Sequence, residues 1–222
     1  MIKRINDLNI YYEIKGKGKN LIMLHGNGED HNIFNKISDR LKEEYKIYLI
    51  DSRNHGKSDN TDNINYSLMA DDIYKFIKME ELEEVSILGF SDGAIIALLS
   101  EISHPGLYKN MVLCGLNLNP DDFLEEVYKE IEDEYEKNSD QLMNLMLKGP
   151  YITNEDLKKV KARLMFIYGE YDVFKNSLIS RIRDIFINSY IYILDNENHD
   201  SYIINNDKIY GIINTFLDNK FE

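Results

Sequence analysis

The chain has 222 residues, 43% of them hydrophobic and 11% aromatic, enough for one folded domain with a real core and too apolar for a disordered chain. Its 26 Lys and Arg stand against 39 Asp and Glu, a formal charge of −13, which repels phosphate backbones and anionic lipid surfaces and argues against nucleic-acid and membrane partners. Cys114 is the only cysteine, so no internal disulfide forms; residues 1–10 lack the apolar core of a signal peptide, and the longest apolar run, 94–99, is far too short to span a bilayer. The expectation is a cytoplasmic protein acting on a small molecule.

Short β-rich runs alternate with helix-length periodic segments, which predicts an α/β fold with a largely parallel sheet. Residues 2–5 and 9–14 read as a hairpin-like pair ahead of Gly16 and Gly18. Strand-like runs follow at 21–25, 46–50, 84–88, 110–114, 164–168 and 190–194, and their run-on hydrophobicity suits strands covered on both faces. Between them Phe34, Ile37, Leu41 and Tyr45 recur at the spacing of one helical face. Leu68, Ile73 and Ile77, with an end near Met79, mark a second helix. Ile179, Ile182 and Phe186 mark another, and Ile209, Ile212, Phe216 and Leu217 the last.

From Cys114 to about Arg163 the strand signal is missing. Residues 121–138 predict a long helix with Leu124, Val127, Ile131 and Tyr135 on one stripe. Leu142, Met143, Leu145, Met146 and Leu147 form a second apolar stretch ending at Gly149-Pro150. The expected division is an α/β core over 1–116 and 159–222 with a helical lid inserted at 117–158. So short a lid would leave the pocket beneath only partly covered.

Gly89-Phe90-Ser91-Asp92-Gly93 follows a strand and opens a helix-like run at 94–103. In that setting Gly-x-Ser-x-Gly is a nucleophile elbow: a sharp turn exposes the serine in a strained conformation and requires neighbours without bulk. The bare motif arises by chance roughly 0.1 times in a chain of this length, so the flanking strand and helix carry the weight. A serine hydroxyl needs a base. Of His25, His31, His55, His104 and His199, only His199 falls in a loop after the last strand. The acid is expected between serine and histidine in the chain, and Asp172, in the loop after the penultimate strand, fits. Asp121 and Asp122, after the sixth strand, are its rivals. The two oxyanion donors are assigned to the backbone N–H groups of Asn27, in His25-Gly26-Asn27-Gly28, and of Asp92.

Together with Asp51-x-Arg53-x-His55-Gly56-x-Ser58, these motifs resemble the α/β-hydrolase family from about Ile2 to the C-terminal helix. The resemblance implies an eight-stranded, mostly parallel sheet with helices on both faces and an antiparallel second strand. It also implies a cofactor-free hydrolase with a Ser91–Asp172–His199 catalytic triad and an acyl-enzyme intermediate. The family usually has Gly where this chain has Asn54, a residue that tolerates the left-handed conformation.

The leading expectation is a serine esterase on a small carboxylic ester. The same triad serves a thioesterase, a lactonase, an aminopeptidase-like amidase or a C–C bond hydrolase, and a non-catalytic ligand-binding relative is the reading from another class. Met143 and Met146 would give the pocket an adaptable apolar wall, and His31 and Phe34 would edge it. Asp92 has two readings, a complement to the helix dipole or a partner for a cationic group of the substrate. His25, Asp51, Arg53 and Ser58 read as braces, and Cys114 as a buried filler. No metal is implied, because the histidines are scattered with no second ligand at helical spacing. The oligomeric state is left open.

Overall fold

Asn6 and Asp7 both take positive φ, 47° and 64°, as a two-residue type I′ hairpin turn requires. In the computed structural model, which describes residues 1–219, that turn joins β1 (Ile2–Ile5) to β2 (Leu8–Lys15). Residues 220–222, the end of the expected 159–222 segment, lie outside the described residues. The remaining strands are β3 (Lys19–Leu24), β4 (Tyr45–Ile50), β5 (Ser86–Phe90), β6 (Asn110–Cys114), β7 (Arg163–Tyr171) and β8 (Tyr190–Asn198). They form one eight-stranded sheet in the order β1-β2-β4-β3-β5-β6-β7-β8. β2 runs antiparallel to both neighbours and every later pair is parallel.

The helices are α1 (Asn35–Leu41), α2 (Tyr66–Met79), α3 (Asp92–Ser103), α4 (Glu125–Asn138), α5 (Gln141–Leu147), α6 (Asn154–Leu157), α7 (Asn176–Ile185) and α8 (Tyr210–Leu217). Successive strand side chains point to opposite faces, and the sheet has a core on each. Ile22, Leu24, Tyr48, Ile50 and Ile87 pack with α2 and α3, whereas Leu21, Met23, Ile47, Leu49 and Leu88 pack with α1 and α8. Two buried faces explain why these strands read as continuous apolar runs. From β3 the chain moves outward to β4, then crosses back to β5 on the other side. The carboxyl ends of β3 and β5 therefore flank a topological switch point, where open α/β sheets hold their ligands.

Several elements differ from expectation. Tyr45 opens β4 instead of closing the helical face, since α1 stops at Leu41 and the Glu44 N–H already turns back to the Leu41 carbonyl. β5 lies two residues later than 84–88, because Glu84 sits at a φ of 48° in the preceding turn. β7 and β8 run on past 168 and 194, pairing Tyr171 with Asn198 after a register shift. The helix expected over 121–138 starts only at Glu125. Before it, the Asp122 carboxylate accepts the Leu118 and Asn119 N–H groups (2.9 and 2.8 Å) and closes a short 3₁₀ turn. Leu124 N–H then donates to Val173 O, stitching the segment to the loop after β7.

At the amino ends of the strands Glu101, with no exposure, accepts N–H groups from Gly106, Tyr108, Lys161 and Ala162. One carboxylate thereby fixes the chain entering both β6 and β7. Among the described residues no helix is long and apolar enough to cross a membrane.

Candidate active site

Ser91 joins β5 to α3 with φ 51° and ψ −118°, a conformation costing a non-glycine residue about 1–3 kcal/mol. The turn closes because its neighbours lack side chains. A Cβ on Gly89 would collide with the Gly93 carbonyl, and one on Gly93 with the Leu24 carbonyl. The Ser91 N–H donates to Cys114 O (2.8 Å), and its own carbonyl accepts the N–H groups of Ala94 and Ile95. The serine is thus held rigidly at the strand tip.

His199 follows the end of β8 and Asp172 the end of β7. His199 Nε2 lies 3.1 Å from Ser91 Oγ, and Nδ1 lies 2.7 Å from Asp172 Oδ1. A proton on Nδ1 donates to the carboxylate and leaves Nε2 to accept from the serine hydroxyl, the tautomer a general base needs. Asp172 is itself fixed by the N–H groups of Gly169 (3.1 Å) and Val173 (2.8 Å). Phe90 and Phe174 flank the imidazole with ring centroids 5.0 and 5.3 Å away. Gly115 has φ 57°, and a Cβ there would stand 2.5 Å from His199 Cε1, so this glycine keeps the space the ring occupies. Neither rival acid approaches the ring: Asp122 is spent on its turn, and Asp121 is exposed on it.

The loop after β3 is braced from below. His25 donates from Nδ1 to Gly26 O (2.8 Å) and accepts the Ser52 N–H at Nε2 (3.0 Å). Burial and the neighbouring His55 lower its pKa to about 4, so it stays neutral. The Gly28 N–H donates to His55 Nε2 (3.1 Å). Arg53 makes a buried two-pronged pair with Asp72 (2.7 and 2.8 Å), and Asn54 takes the left-handed φ of 64°. Asp30, His31 and Asp51 bring ligand-type atoms within 4.8 Å of one another. Their bonds close the turn instead: Asp30 accepts the Asn32 N–H, and Asp51 accepts the His31 N–H, His31 Nδ1–H and Lys57 N–H.

Two expected pocket groups lie elsewhere. His31 and Phe34 are 1% and 0% exposed, because the 3₁₀ turn capped by Asp30 points them into the core under α1. They do not edge the pocket. The Asp92 side chain also turns inward, accepting from Tyr66 Oη (2.8 Å) and Asn27 Nδ2 (2.9 Å). Burial raises its pKa while those two bonds oppose the rise. It has no face toward the serine, so the expected pairing with a substrate cation falls away. What remains in place is its backbone N–H at the start of α3, with the Asn27 backbone across the turn.

Above Ser91 and His199 opens a cleft of about 260 Å³, walled by Val127 and Ile131 of α4 and by Met143 and Met146 of α5. Both methionines thus line the cleft beside Ser91. Larger hollows of about 530 and 580 Å³ lie beside α5 and at the amino ends of the strands, and neither contains the serine or the histidine. Sequence reasoning missed Phe123, Val173, Asp200 and Glu29, which also line the cleft; Glu29 is the ionisable one drawn furthest into it. Its carboxylate accepts the Gly26 N–H (2.8 Å), and burial pushes its pKa up to about 7.

The profile of the alpha/beta hydrolase fold family matches residues 19–145. Among curated proteins, "Ethanol acetyltransferase 1" of Hanseniaspora uvarum is 31% identical over 97 residues, 42% of this chain and 28% of that protein. The protein of the same name in Kluyveromyces lactis is 37% identical over 62 residues, 28% of this chain and 17% of its own length. The chain thus spans well under half the length of these relatives. An esterase from Exiguobacterium antarcticum superposes with a TM-score of 0.83 at 20% identity, covering 98% of both chains. At that identity the likeness shows the fold alone.

Proposed function

This chain belongs to the α/β-hydrolase fold family, and from that premise we propose that it is a serine hydrolase cleaving a small carboxylic ester. One observation carries the reading: the unbroken hydrogen-bond line from Ser91 Oγ through His199 to Asp172, starting at a serine held on a strained strand-to-helix turn. Ser91 Oγ attacks the carbonyl carbon while His199 Nε2 takes its proton. Asp172 fixes the imidazole tautomer and balances the imidazolium. The tetrahedral oxyanion receives the backbone N–H groups of Asn27 and Asp92. His199 then passes the proton to the leaving alcohol, and a water activated by the same nitrogen releases the acid.

The segment 117–158 acts as a partial lid through α4 and α5. A 260 Å³ cleft falls below the usual range of about 300–1,000 Å³ for ligand pockets, so short acyl chains are favoured. The acetyltransferase relatives support a second reading, in which an alcohol replaces water in the last step.

The test is a ladder of p-nitrophenyl esters from acetyl to palmitoyl, with the wild type and Ser91→Ala. Turnover should peak at short chains and fall at least about 10³-fold in the variant, and a fluorophosphonate should label Ser91. Added ethanol separates the readings, since transfer produces the ethyl ester at the expense of the acid. A folded chain that hydrolyses no ester and takes no label would refute the proposal.

A further inference from the structure

Besides Ser91 and His199, the polar side chains of the cleft belong to Asn27, Glu29 and Asp200, and no Lys or Arg lines it. All three side chains present acceptor oxygens, and two are carboxylates. Glu29 is the innermost carboxylate. A Cβ placed on Gly26 would stand 2.9 Å from Glu29 Oε2 and 3.1 Å from Ser91 Cβ, so carboxyl and nucleophile are neighbours across a bare glycine.

Among the described residues the Gly26 N–H is the only hydrogen-bond donor to Glu29, and no cation pairs with it. Asn27 gives both amide hydrogens away, to Asp92 Oδ2 (2.9 Å) and Leu142 O (3.1 Å). Its Oδ1 is shielded from solvent and has no partner. A buried acceptor left unmatched is destabilising, and a partly desolvated carboxylate without a counter-ion is costly as well. A ligand that brings positive charge beside Glu29 removes the cost of that carboxylate.

We propose that Glu29 makes this site selective for esters bearing an ammonium group near the scissile bond. Anionic esters are turned away by the same carboxylates. This rests on the serine-hydrolase reading of Ser91 and adds the substrate class. Glu29 recognises the ammonium group and takes no part in proton transfer. Burial is the largest influence on its ionisation and opposes it, as do Asp200 and, from the inward side of Asn27, Asp92; the Gly26 N–H and a protonated His199 favour it. A bound ammonium shifts that balance toward the carboxylate.

The experiment compares isosteric esters on the full chain and on Glu29→Gln, which keeps an oxygen to accept the Gly26 N–H. The pairs are β-alanine ethyl ester against ethyl butyrate, and choline butyrate against 3,3-dimethylbutyl butyrate, with monoethyl succinate as the anion. The readout is the cationic-to-neutral ratio of kcat/KM, in which any general loss in the variant cancels. At pH 8 the wild-type ratio should exceed that of Glu29→Gln at least about tenfold for one pair. That ratio should fall as pH drops through about 7 in the wild type alone. Equal ratios in the two proteins for both pairs, or faster turnover of monoethyl succinate than of ethyl butyrate, would overturn the proposal.

Calorimetric binding of propylammonium provides a readout that needs no turnover. The wild type should bind it more tightly than Glu29→Gln, and binding to neither protein counts against the proposal. Loss of fluorophosphonate labelling together with all ester turnover would instead strike the serine-hydrolase reading, and calorimetry would still decide the role of Glu29.

Discussion

At the amino ends of the strands Glu101 accepts four backbone N–H groups and has no exposure. At their carboxyl ends Glu29 accepts one, beside a serine and a histidine, with its pKa pushed up to about 7. The two side chains are chemically identical. A carboxylate whose lone pairs are filled by fixed backbone donors is a structural fixture. One with acceptor capacity left over, facing a cleft, is available to a ligand. The same contrast separates the ends of the sheet: one is saturated and rigid, the other retains a strained turn and an unpartnered amide oxygen.

Four substitutions break or sharpen that contrast. The largest effect belongs to the carboxyl end. Asp172→Asn should lower kcat on a short ester by about 10⁴-fold, because the imidazole loses the partner that fixes its tautomer. The urea midpoint of that variant should stay close to the wild type. Glu101→Ala should behave in the opposite way: stripping four backbone N–H groups, that of Tyr108 buried and the others partly so, of their acceptor costs about 2–4 kcal/mol, seen as a lower urea midpoint. Fluorophosphonate labelling of its folded fraction should persist.

Gly115→Ala lies between these two. A methyl group 2.5 Å from His199 Cε1 displaces the ring, and kcat should fall about 10²-fold, with KM little changed. The smallest effect is a pH-dependent one. Glu29 titrates near 7 when folded against an ordinary 4.5, so the folded state binds the extra proton between those values. Stability on this account is full below 4.5 and declines as pH rises to 7. The penalty above 7 is about 1–3 kcal/mol after screening by the open cleft. Glu29→Gln removes it, so the variant should melt higher than the wild type at pH 8 and level with it at pH 4.

The fold and the serine's surroundings were legible in the residues, but unevenly, and neither Glu101 nor Glu29 was. The strands followed from apolar runs punctuated by turn residues, and the elbow from two glycines that the packing does require. His199 and Asp172 were picked out because each was expected to follow a strand end, and the structure brings both into one hydrogen-bond line with Ser91. Asp92 misled because adjacency to the nucleophile in sequence says nothing of helical phase: its carboxylate faces Tyr66 and Asn27, 26 and 65 residues away. His31 and Phe34 misled in the same way, since a single 3₁₀ turn decides which side of the loop they face. Glu29 gave no signal. In Gly26-Asn27-Gly28-Glu29 it reads as one more solvated loop acid in a chain of charge −13, and only the approach of α4 and α5 encloses it.

Asn27 has one consequence for any opening of the cleft. Its two amide hydrogens tie Leu142 of α5 to Asp92 of the elbow, while its own backbone forms part of the loop facing Ser91. The cover and the floor of the cleft thus share a single linchpin. If α5 lifts to admit or release a ligand, the pull reaches the residue beside the reacting carbonyl. Lifting α5 would cost Asn27 its bond to Leu142 O and leave the one to Asp92, so the cover is tethered to the elbow by a single amide group.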